Sequence, residues 1–287
     1  VNSLLYTALM QACIIKNIPL IVYLCNKEIN KDLTNIDGNT AFMISAYYGY
    51  NEIILLLALD FNVNINIKDN VGNNALLLAT FQNKEYIIQS LVLLLKMDVN
   101  ITNVNNESAL MIAANYNYIN VANTLINKLN INTTLKDTND NTALMIAAKN
   151  GNLDIVSYIL DKSILTLNYK NNEGNTALLL AAKNGHNVVC EFLITHNADF
   201  TLINNDAYNM NMLAAKYGFN EVLNITSRFI NINNINNNDE SALILAAKNN
   251  KVYTVLHIIN NLNGTTDYLI GYEKFDKITA AFLYIKN

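Results

Sequence analysis

The stretch Asn141-Thr142-Ala143-Leu144-Met145-Ile146-Ala147-Ala148-Lys149-Asn150-Gly151 recurs further along the chain as Asn175-Thr176-Ala177-Leu178-Leu179-Leu180-Ala181-Ala182-Lys183-Asn184-Gly185, with most residues unchanged. Extending this register in both directions gives one polar anchor residue per repeat: Thr7, Thr40, Asn74, Ser108, Thr142, Thr176, Asn209 and Ser241. The anchors are almost evenly spaced, and a constant period of about 33 residues indicates a row of repeated structural units.

Each anchor is predicted to begin a short helix. Thr, Ser and Asn accept hydrogen bonds from backbone N–H groups two or three residues further on, which makes them frequent helix N-caps. The alanine-rich segment behind each anchor suits a helix that packs closely against its neighbours. A glycine, which tolerates a positive φ, is placed to end this helix in four units: Gly49, Gly151, Gly185 and Gly218.

A second helix and an extended arm are predicted to complete each unit. Apolar residues with helical spacing follow the first helix, as over residues 153–160. Alternation such as Val63, Ile65 and Ile67 then predicts a short extended arm, which runs into turn-forming residues. One unit therefore contains a helix, a turn, a second helix and an extended arm.

These units resemble the ankyrin repeat, and the resemblance covers essentially the whole chain. The shared pattern is Asp/Asn-x-x-Gly-x-Thr-Ala-Leu, then Ala-Ala-x-x-Gly-His, then a second helix of the form Val/Ile-x-x-Leu-Leu. The sixth unit matches best, through Gly174, Thr176, Ala177, Leu178, Ala181, Ala182, Gly185 and His186. The resemblance implies an all-α fold class: an ankyrin-type α-solenoid of about eight helix-turn-helix repeats with short β-hairpin arms.

Two positions depart from the family pattern. The usual proline after Thr is alanine, or Met210 in the seventh unit, so the first helical position lacks a preset φ. The usual histidine after Leu is Met, Leu or Ile, as at Met10 and Met111, which removes side-chain hydrogen bonds near the cap. We expect the fold to survive both changes, with more of its stability coming from apolar stacking.

The chain is predicted to be a single ankyrin repeat domain over residues 1–287. Its approximate repeats are residues 1–34, 35–68, 69–102, 103–136, 137–170, 171–203, 204–235 and 236–262. Residues 263–287 are interpreted either as a C-terminal cap that seals the last unit or as a truncated ninth repeat.

Composition argues against several classes of function. Only 15% of the residues are charged, 52% are apolar, the formal net charge is −4, and Arg228 is the only arginine. Phosphate and base-edge contacts depend heavily on arginine, so we expect no nucleic-acid partner. The longest apolar run, residues 53–59, is far shorter than the roughly 20 residues that cross a bilayer, so no membrane insertion is expected.

The cysteines favour a reducing compartment. Cys13, Cys25 and Cys190 are odd in number and have no zinc-ligand or disulfide spacing, so they are predicted to be small buried side chains. No signal sequence opens the chain, although its start at Val1 is typical of a fragment or a trimmed piece. We expect a monomeric protein in the cytoplasm, or in the host cytoplasm if it is an effector.

The sequence predicts that the chain is not an enzyme and has no catalytic residue, cofactor or metal. The histidines, His186, His196 and His257, have no Ser, Cys or paired carboxylate at catalytic spacing. Cys190 lies four residues after His186, and we interpret it as a buried side chain beside a structural histidine. No glycine-rich phosphate loop is present in the sequence.

The family resemblance implies a protein–protein interaction scaffold with a partner protein in a concave groove of hairpin tips and first-helix edges. On the first helices, the predicted partner-binding residues are Tyr47, Tyr48, Phe81, Tyr116, Lys149, Lys183, Lys216, Tyr217 and Lys248. At the tips, they are Asp37, Asn39, Asn73, Glu107, Asn141, Glu173, Asn175, Asp206, Tyr208 and Glu240.

The four lysines and the aromatic residues each have two interpretations. Lysines that recur at the repeat period suit an acidic or phosphorylated segment, because their charges act together over about 8–10 Å. The alternative is that lysine is simply a good helix former at an exposed position. Exposed tyrosines are favoured interface anchors, whereas packing between repeats is the alternative, above all for Phe81.

Three biological settings fit these predictions. The leading one is a stand-alone interaction scaffold. The others are the partner-recruiting arm of a larger multidomain protein and a pathogen or viral effector directed at host proteins. Resemblance at the level of the fold alone indicates protein binding and does not identify the partner.

Overall fold

The computed structural model describes residues 5–262, which form sixteen α-helices arranged as eight consecutive pairs. The first helices of the pairs are α1 Ala8–Ile14, α3 Ala41–Tyr48, α5 Ala75–Phe81, α7 Ala109–Tyr116, α9 Ala143–Asn150, α11 Ala177–Lys183, α13 Met210–Tyr217 and α15 Ala242–Lys248. The second helices are α2 Ile18–Cys25, α4 Asn51–Leu55, α6 Glu85–Gln89, α8 Ile119–Asn123, α10 Leu153–Lys162, α12 Asn187–Thr195, α14 Asn220–Thr226 and α16 Val252–Asn261. The predicted cap or ninth repeat, residues 263–287, lies outside the described residues.

The described residues fall into two compact units. The first unit comprises residues 5–147 and 154–166, and the second comprises residues 148–153 and 167–262. Each unit contains several of the predicted repeats. The prediction that the chain forms a single domain stays a prediction.

The eight anchor residues begin the eight first helices, as the sequence predicts. In each repeat, the anchor's side-chain oxygen accepts a hydrogen bond from the backbone N–H three residues further on, at 3.0 to 3.4 Å. At Met10 and Met111, the thioether sulfur accepts in turn from the anchor's own N–H, at 3.4 and 3.5 Å. Methionine therefore restores part of the hydrogen bonding that we expected to be lost with the family's histidine.

The first helices are buried on nearly every side. In α3, all six residues from Ala41 to Ala46 are buried. Within the first unit, α3 packs between α1 and α5, and α5 packs on α7. Within the second unit, α13 packs between α11 and α15. A helix that is apolar all round requires neighbours on both sides, so the stability of each repeat depends on those beside it.

The end of the second helix absorbs differences in repeat length. Three second helices of the first unit pass into a five-residue π-helical turn, at Leu56–Asp60, Ser90–Leu94 and Thr124–Lys128. Phe61, for example, donates its N–H to the carbonyl of Leu56, five residues back. The anchors of these repeats are 34 residues apart, as are those of the fifth repeat, where α10 has ten residues and no π-helical turn. The spacing from the seventh anchor to the eighth is the shortest. In that seventh repeat, the second helix is the seven-residue α14.

The arms before the first helices are hydrogen-bonded loops, and the predicted β-hairpins are wrong for the described residues. Over residues 5–262, pairing of the β type is limited to two isolated bridges. The side-chain oxygen of Asn35 accepts from the N–H groups of Asp37 and Asn39, at 3.1 and 2.8 Å. Such local bonds compete with strand pairing, which explains why alternating sequence did not give strands. The all-α fold class and the helical repeat architecture are confirmed.

Neighbouring loops are joined by a backbone hydrogen bond at a fixed position in the repeat. In the first unit, Asn70 donates its N–H to the carbonyl of Asp37, and Val104 donates to that of Val71, at 3.0 and 3.1 Å. In the second unit, Asn205 donates in the same way to Glu173. These bonds hold the loop tips in register, so that equivalent side chains of successive repeats recur along one edge of each unit.

Candidate functional site

Aromatic side chains stand at the carboxyl ends of three successive first helices in the first unit. We name Tyr47, Tyr48, Phe81 and Tyr116 the aromatic face. Tyr47, Tyr48 and Tyr116 are 40%, 43% and 52% exposed, whereas Phe81 is half-buried. The predicted residues therefore lie at the surface, but packing covers about half of each ring.

The rings of the aromatic face are held by two further tyrosines that the sequence analysis missed. Tyr50 stacks on Tyr48 with ring centroids 5.7 Å apart, and Tyr118 stacks on Tyr116 at 5.6 Å. The Tyr118 hydroxyl donates to the Phe81 carbonyl of the preceding repeat, at 3.2 Å. Because Tyr50 and Tyr118 occupy the same position two repeats apart, the repeat alignment could have found them.

A surface cavity of about 290 Å³ lies beside the aromatic face. Its lining includes Tyr47 and Tyr48 together with Asp37 and Asn39, which were predicted as separate tip residues. The structure thus brings four of the predicted residues to one place. The buried Met43, from the same helix, also lines the cavity.

The four predicted lysines lie in the last turn of four first helices, and we name Lys149, Lys183, Lys216 and Lys248 the lysine row. All four belong to the second unit. The Lys183 ammonium lies 3.2 Å from Glu173, and the Lys248 ammonium lies 2.6 Å from Glu240. Two of the four positive charges are therefore already compensated by carboxylates of their own repeats.

The other two lysines have different surroundings. Within the described part of the chain, neither Lys149 nor Lys216 forms an ion pair. The Lys216 ammonium lies 5.4 Å from the centroid of the Tyr217 ring, and the Tyr217 hydroxyl donates to the Lys183 carbonyl. Tyr217 is therefore partly engaged in joining two repeats.

Glu240 is the centre of a polar network in the second unit. Its carboxylate accepts from Lys248 at 2.6 Å, from Asn236 at 2.9 Å and from the Tyr208 hydroxyl at 3.3 Å. Burial alone raises the pKa of Glu240, but these donors and the Lys248 charge outweigh it, so the pKa lies below its ordinary value. Burial and the nearby Glu240 carboxylate raise the pKa of Tyr208.

Three predicted tip residues are buried, which argues against direct contact with a partner. Asn73, Asn175 and Glu240 are 6%, 0% and 9% exposed. Asn73 and Asn175 donate to carboxylates of their own loops and accept from the asparagine of the next loop, at 3.3 and 3.0 Å. The exposed or half-buried tip residues are Asp37, Asn39, Glu107, Asn141, Glu173, Asp206 and Tyr208.

The cysteines are buried thiols, as predicted. Burial raises the pKa of Cys13 to about 11 and that of Cys190 to about 12. The Nε2 atom of the neighbouring His186 lies 3.0 Å from the Lys149 carbonyl and forms a hydrogen bond there, which joins two repeats. Among residues 5–262, no group of His, Cys, Asp and Glu side chains is arranged to hold a metal ion. In that same range, the structure contains no helix long and apolar enough to cross a membrane.

The two units differ in charge. The described first unit contains nine lysines and thirteen acidic residues, a formal net charge of −4, whereas the described second unit contains seven basic and seven acidic residues. The aromatic face thus belongs to an acidic unit, and the lysine row belongs to a neutral one.

Paired helices joined by loops, each pair packed on the next within its unit, define a helical repeat protein. The family model for ankyrin repeats matches three times, over residues 2–69, 56–137 and 129–204, and the chain belongs to the ankyrin repeat family. The repeats that begin at Asn209 and Ser241 lie beyond these matches but have the same capped first helix. No curated protein sequence matches the chain. Ankyrin repeats are generally protein–protein interaction modules, and the family is typically non-enzymatic.

Proposed function

We propose that this protein binds a partner protein through its loop tips and the ends of its first helices, with the aromatic face as the principal contact. The observation that carries the proposal is the half-exposure of Tyr47 and Tyr48 in the second repeat and of Tyr116 in the fourth, with the half-buried Phe81 of the third repeat between them. The rings of Tyr48 and Tyr116 are oriented by stacking on Tyr50 and Tyr118, so little rotational freedom is lost when a partner covers them. Tyrosine contributes a large apolar area and a hydroxyl, which is why it is enriched at protein interfaces.

Apolar residues at the loop tips extend the same surface. Ile36, Val71 and Val104 are 53%, 54% and 63% exposed. The second unit has polar residues at the equivalent tip positions, such as Glu173 and Asp206. Clustered exposed apolar side chains are typical of interaction sites. This difference supports the first unit as the principal contact.

The lysine row is a second, weaker candidate surface for an acidic or phosphorylated segment. Because Lys183 and Lys248 are paired with glutamates, the free charge for such a segment is concentrated at Lys149 and Lys216. Binding there depends on electrostatic attraction at exposed positions, so it weakens as the salt concentration rises. The chain's place in a larger multidomain protein, an effector role, a cytoplasmic location, a monomeric state and the absence of catalysis stay predictions.

The aromatic face is tested by affinity capture from lysates of candidate source or host cells. The bait proteins are the wild type, the double variant Tyr48→Ser/Tyr116→Ser, and the control Tyr86→Ser, which removes a 68% exposed tyrosine from the second helix α6. We expect the wild type and the control to capture the same partners, and we expect the double variant to lose them. A purified partner should then bind the double variant at least about tenfold more weakly, because two interface tyrosines are removed. Equal retention by all three baits would refute the proposal.

The lysine row requires neutral substitutions. Glutamate at position 183 or 248 would face Glu173 or Glu240 and would disturb the fold as well as the binding. The double variant Lys149→Gln/Lys216→Gln avoids this problem, and Lys183→Gln serves as the control. We expect the double variant to lose affinity for a phosphorylated peptide library at low salt while the control retains it. If the double variant binds the peptide library as tightly as the Lys183→Gln control does, the lysine row is excluded as a phosphopeptide surface.

A further inference from the structure

The rim of the cavity beside the aromatic face is acidic. Asp37 is the only charged residue in its lining and is exposed. Its carboxylate forms no ion pair with any residue of the described range; the nearest donor is Asn35 Nδ2, at 3.5 Å. Asn39, also in the lining, has a buried Oδ1 atom with no hydrogen-bond partner. Because Asp37 is exposed and its carboxylate is acceptor-only, this rim favours a ligand that brings N–H groups.

The unpaired Asn39 oxygen has a cause in the repeat sequence. At the equivalent positions, the Oδ1 atoms of Asn73 and Asn175 accept from an asparagine in the next loop, Asn103 or Asn204. The residue that corresponds to these asparagines after Asn39 is Asp69, whose ionised carboxylate cannot donate. Asp69 also accepts three hydrogen bonds within its own loop. The substitution thus removes a donor and adds negative charge near the cavity.

The remaining lining suits a long side chain that ends in a delocalised cation. Met43 and Ile44 are buried and apolar, and Tyr47 and Tyr48 contribute ring faces, which attract cations. A volume of about 290 Å³ is at the lower end for ligand sites and corresponds to one side chain better than to a whole small molecule. The net charge of −4 on this unit adds a general attraction for positive charge.

We propose that this cavity binds an arginine side chain of the partner segment, with the guanidinium group against Asp37 and the aliphatic stem along the Tyr47 and Tyr48 rings. Arginine supplies five N–H donors in a planar group that also stacks on aromatic rings, whereas lysine supplies a compact and strongly hydrated ammonium. The assignment rests on the proposed protein-binding function and specifies one chemical feature of the partner.

The test uses a small probe and needs no partner protein. N-acetyl-arginine amide is titrated into protein carrying ¹³C-labelled methionine methyl groups, and the Met43 signal is assigned with the variant Met43→Leu. We expect a saturable shift of the Met43 signal. N-acetyl-citrulline amide, which has nearly the same shape without the charge, and the variant Asp37→Asn should each weaken binding by about two- to fivefold, as expected for one exposed ion pair.

The matched control is Asp206→Asn, because Asp206 occupies the equivalent loop position of the second unit and its N–H is bonded to Asn204 just as that of Asp37 is to Asn35. This variant should bind the probe like the wild type. No saturable shift in the wild type, equal loss from both aspartate variants, or equal binding of N-acetyl-lysine amide would each overturn the arginine assignment. If capture still depends on Tyr48 and Tyr116 in that case, protein binding stands and only the arginine site is rejected.

Discussion

The two units place different chemistry on the same backbone positions. In the first unit, the last residues of α3 and α7 are half-exposed tyrosines, and the exposed Asp37 beside α3 forms no ion pair with any described residue. In the second unit, α11 and α15 end in lysines that form ion pairs with Glu173 and Glu240. The capped first helix is common to both units. The comparison shows that binding chemistry at these positions changes independently of the fold, because the side chains at the helix ends do not contribute to the buried stack.

The largest expected effect concerns the two fully buried cysteines, one in each unit. Single-cysteine variants that retain only Cys13 or only Cys190 should react with iodoacetamide at least about 100-fold more slowly in the folded state than when unfolded, because labelling requires local opening. The two rates then measure the stability of each unit separately. Labelling of either thiol at nearly the unfolded rate would show that its unit is not a stable, closed stack.

The next effect concerns the unfolding free energy and one loop position, which is occupied by Gly38 in the first unit and by Ala207 in the second. Gly38 has a φ of +87°, and an added Cβ would lie 2.7 Å from the Asn70 backbone nitrogen. Gly38→Ala should therefore destabilise the protein by about 1–3 kcal/mol, measured by urea unfolding. At the equivalent position of the seventh repeat, in the second unit, Ala207 has a φ of +61°, whereas the sixth repeat keeps a glycine there, Gly174.

Ala207→Gly should have the opposite sign and stabilise the protein by about 0.5–1 kcal/mol, because glycine adopts this conformation without a steric penalty. Loss of stability in Ala207→Gly would mean that the methyl group is packed favourably enough to compensate for the backbone strain.

The two ion pairs of the lysine row should differ in strength. The partner of Lys248 has a side chain only 11% exposed, whereas the partner of Lys183 is 66% exposed. Lys248→Met should cost about 1–2 kcal/mol of unfolding free energy, because it removes a donor and a charge from a largely buried carboxylate. Lys183→Met should cost less than about 0.5 kcal/mol. Equal costs would mean that the burial of Glu240 has no energetic consequence.

The smallest expected effect is a pH dependence caused by Glu240 in the second unit. Because the folded-state pKa of Glu240 lies below its ordinary value of 4.5, its contribution to stability is complete above that pH and is lost as the pH falls through the folded-state pKa. Hydrogen exchange over residues 210–248 should show opening easier by about 1 kcal/mol or less between about pH 5.5 and pH 3.5.

The variant Glu240→Gln should remove most of this change, and residues 41–116 of the first unit serve as an internal reference. The raised pKa of Tyr208 predicts a separate loss on the alkaline side, where the stabilising contribution of the neutral hydroxyl disappears as the pH rises above 10 and through the folded-state pKa. A pH profile for Glu240→Gln that matches the wild type would show that Glu240 is not responsible for the acid effect.

Much of the fold could be predicted from the sequence because it depends on local interactions. An N-cap such as Thr40 or Ser108 requires only its own side chain and the N–H three residues further on. The alternation at Val63, Ile65 and Ile67 was misleading for the same reason. Side-chain oxygens in the neighbouring loops bond to nearby backbone groups, and a period of two cannot distinguish such a loop from a strand.

The sequence by itself determined the repeat period, the eight capped helix starts, the helical repeat class and the residues at the helix ends. Only the tertiary structure decided which polar side chains already have a hydrogen-bond or ion-pair partner within the protein. Lys183 meets a glutamate ten residues away, Asn175 is buried against the loop of the next repeat, and the Asn39 oxygen lacks a donor because residue 69 is an aspartate. The physical reason is that a hydrogen bond or ion pair depends on both partners, and the second partner here comes from a separate loop or repeat.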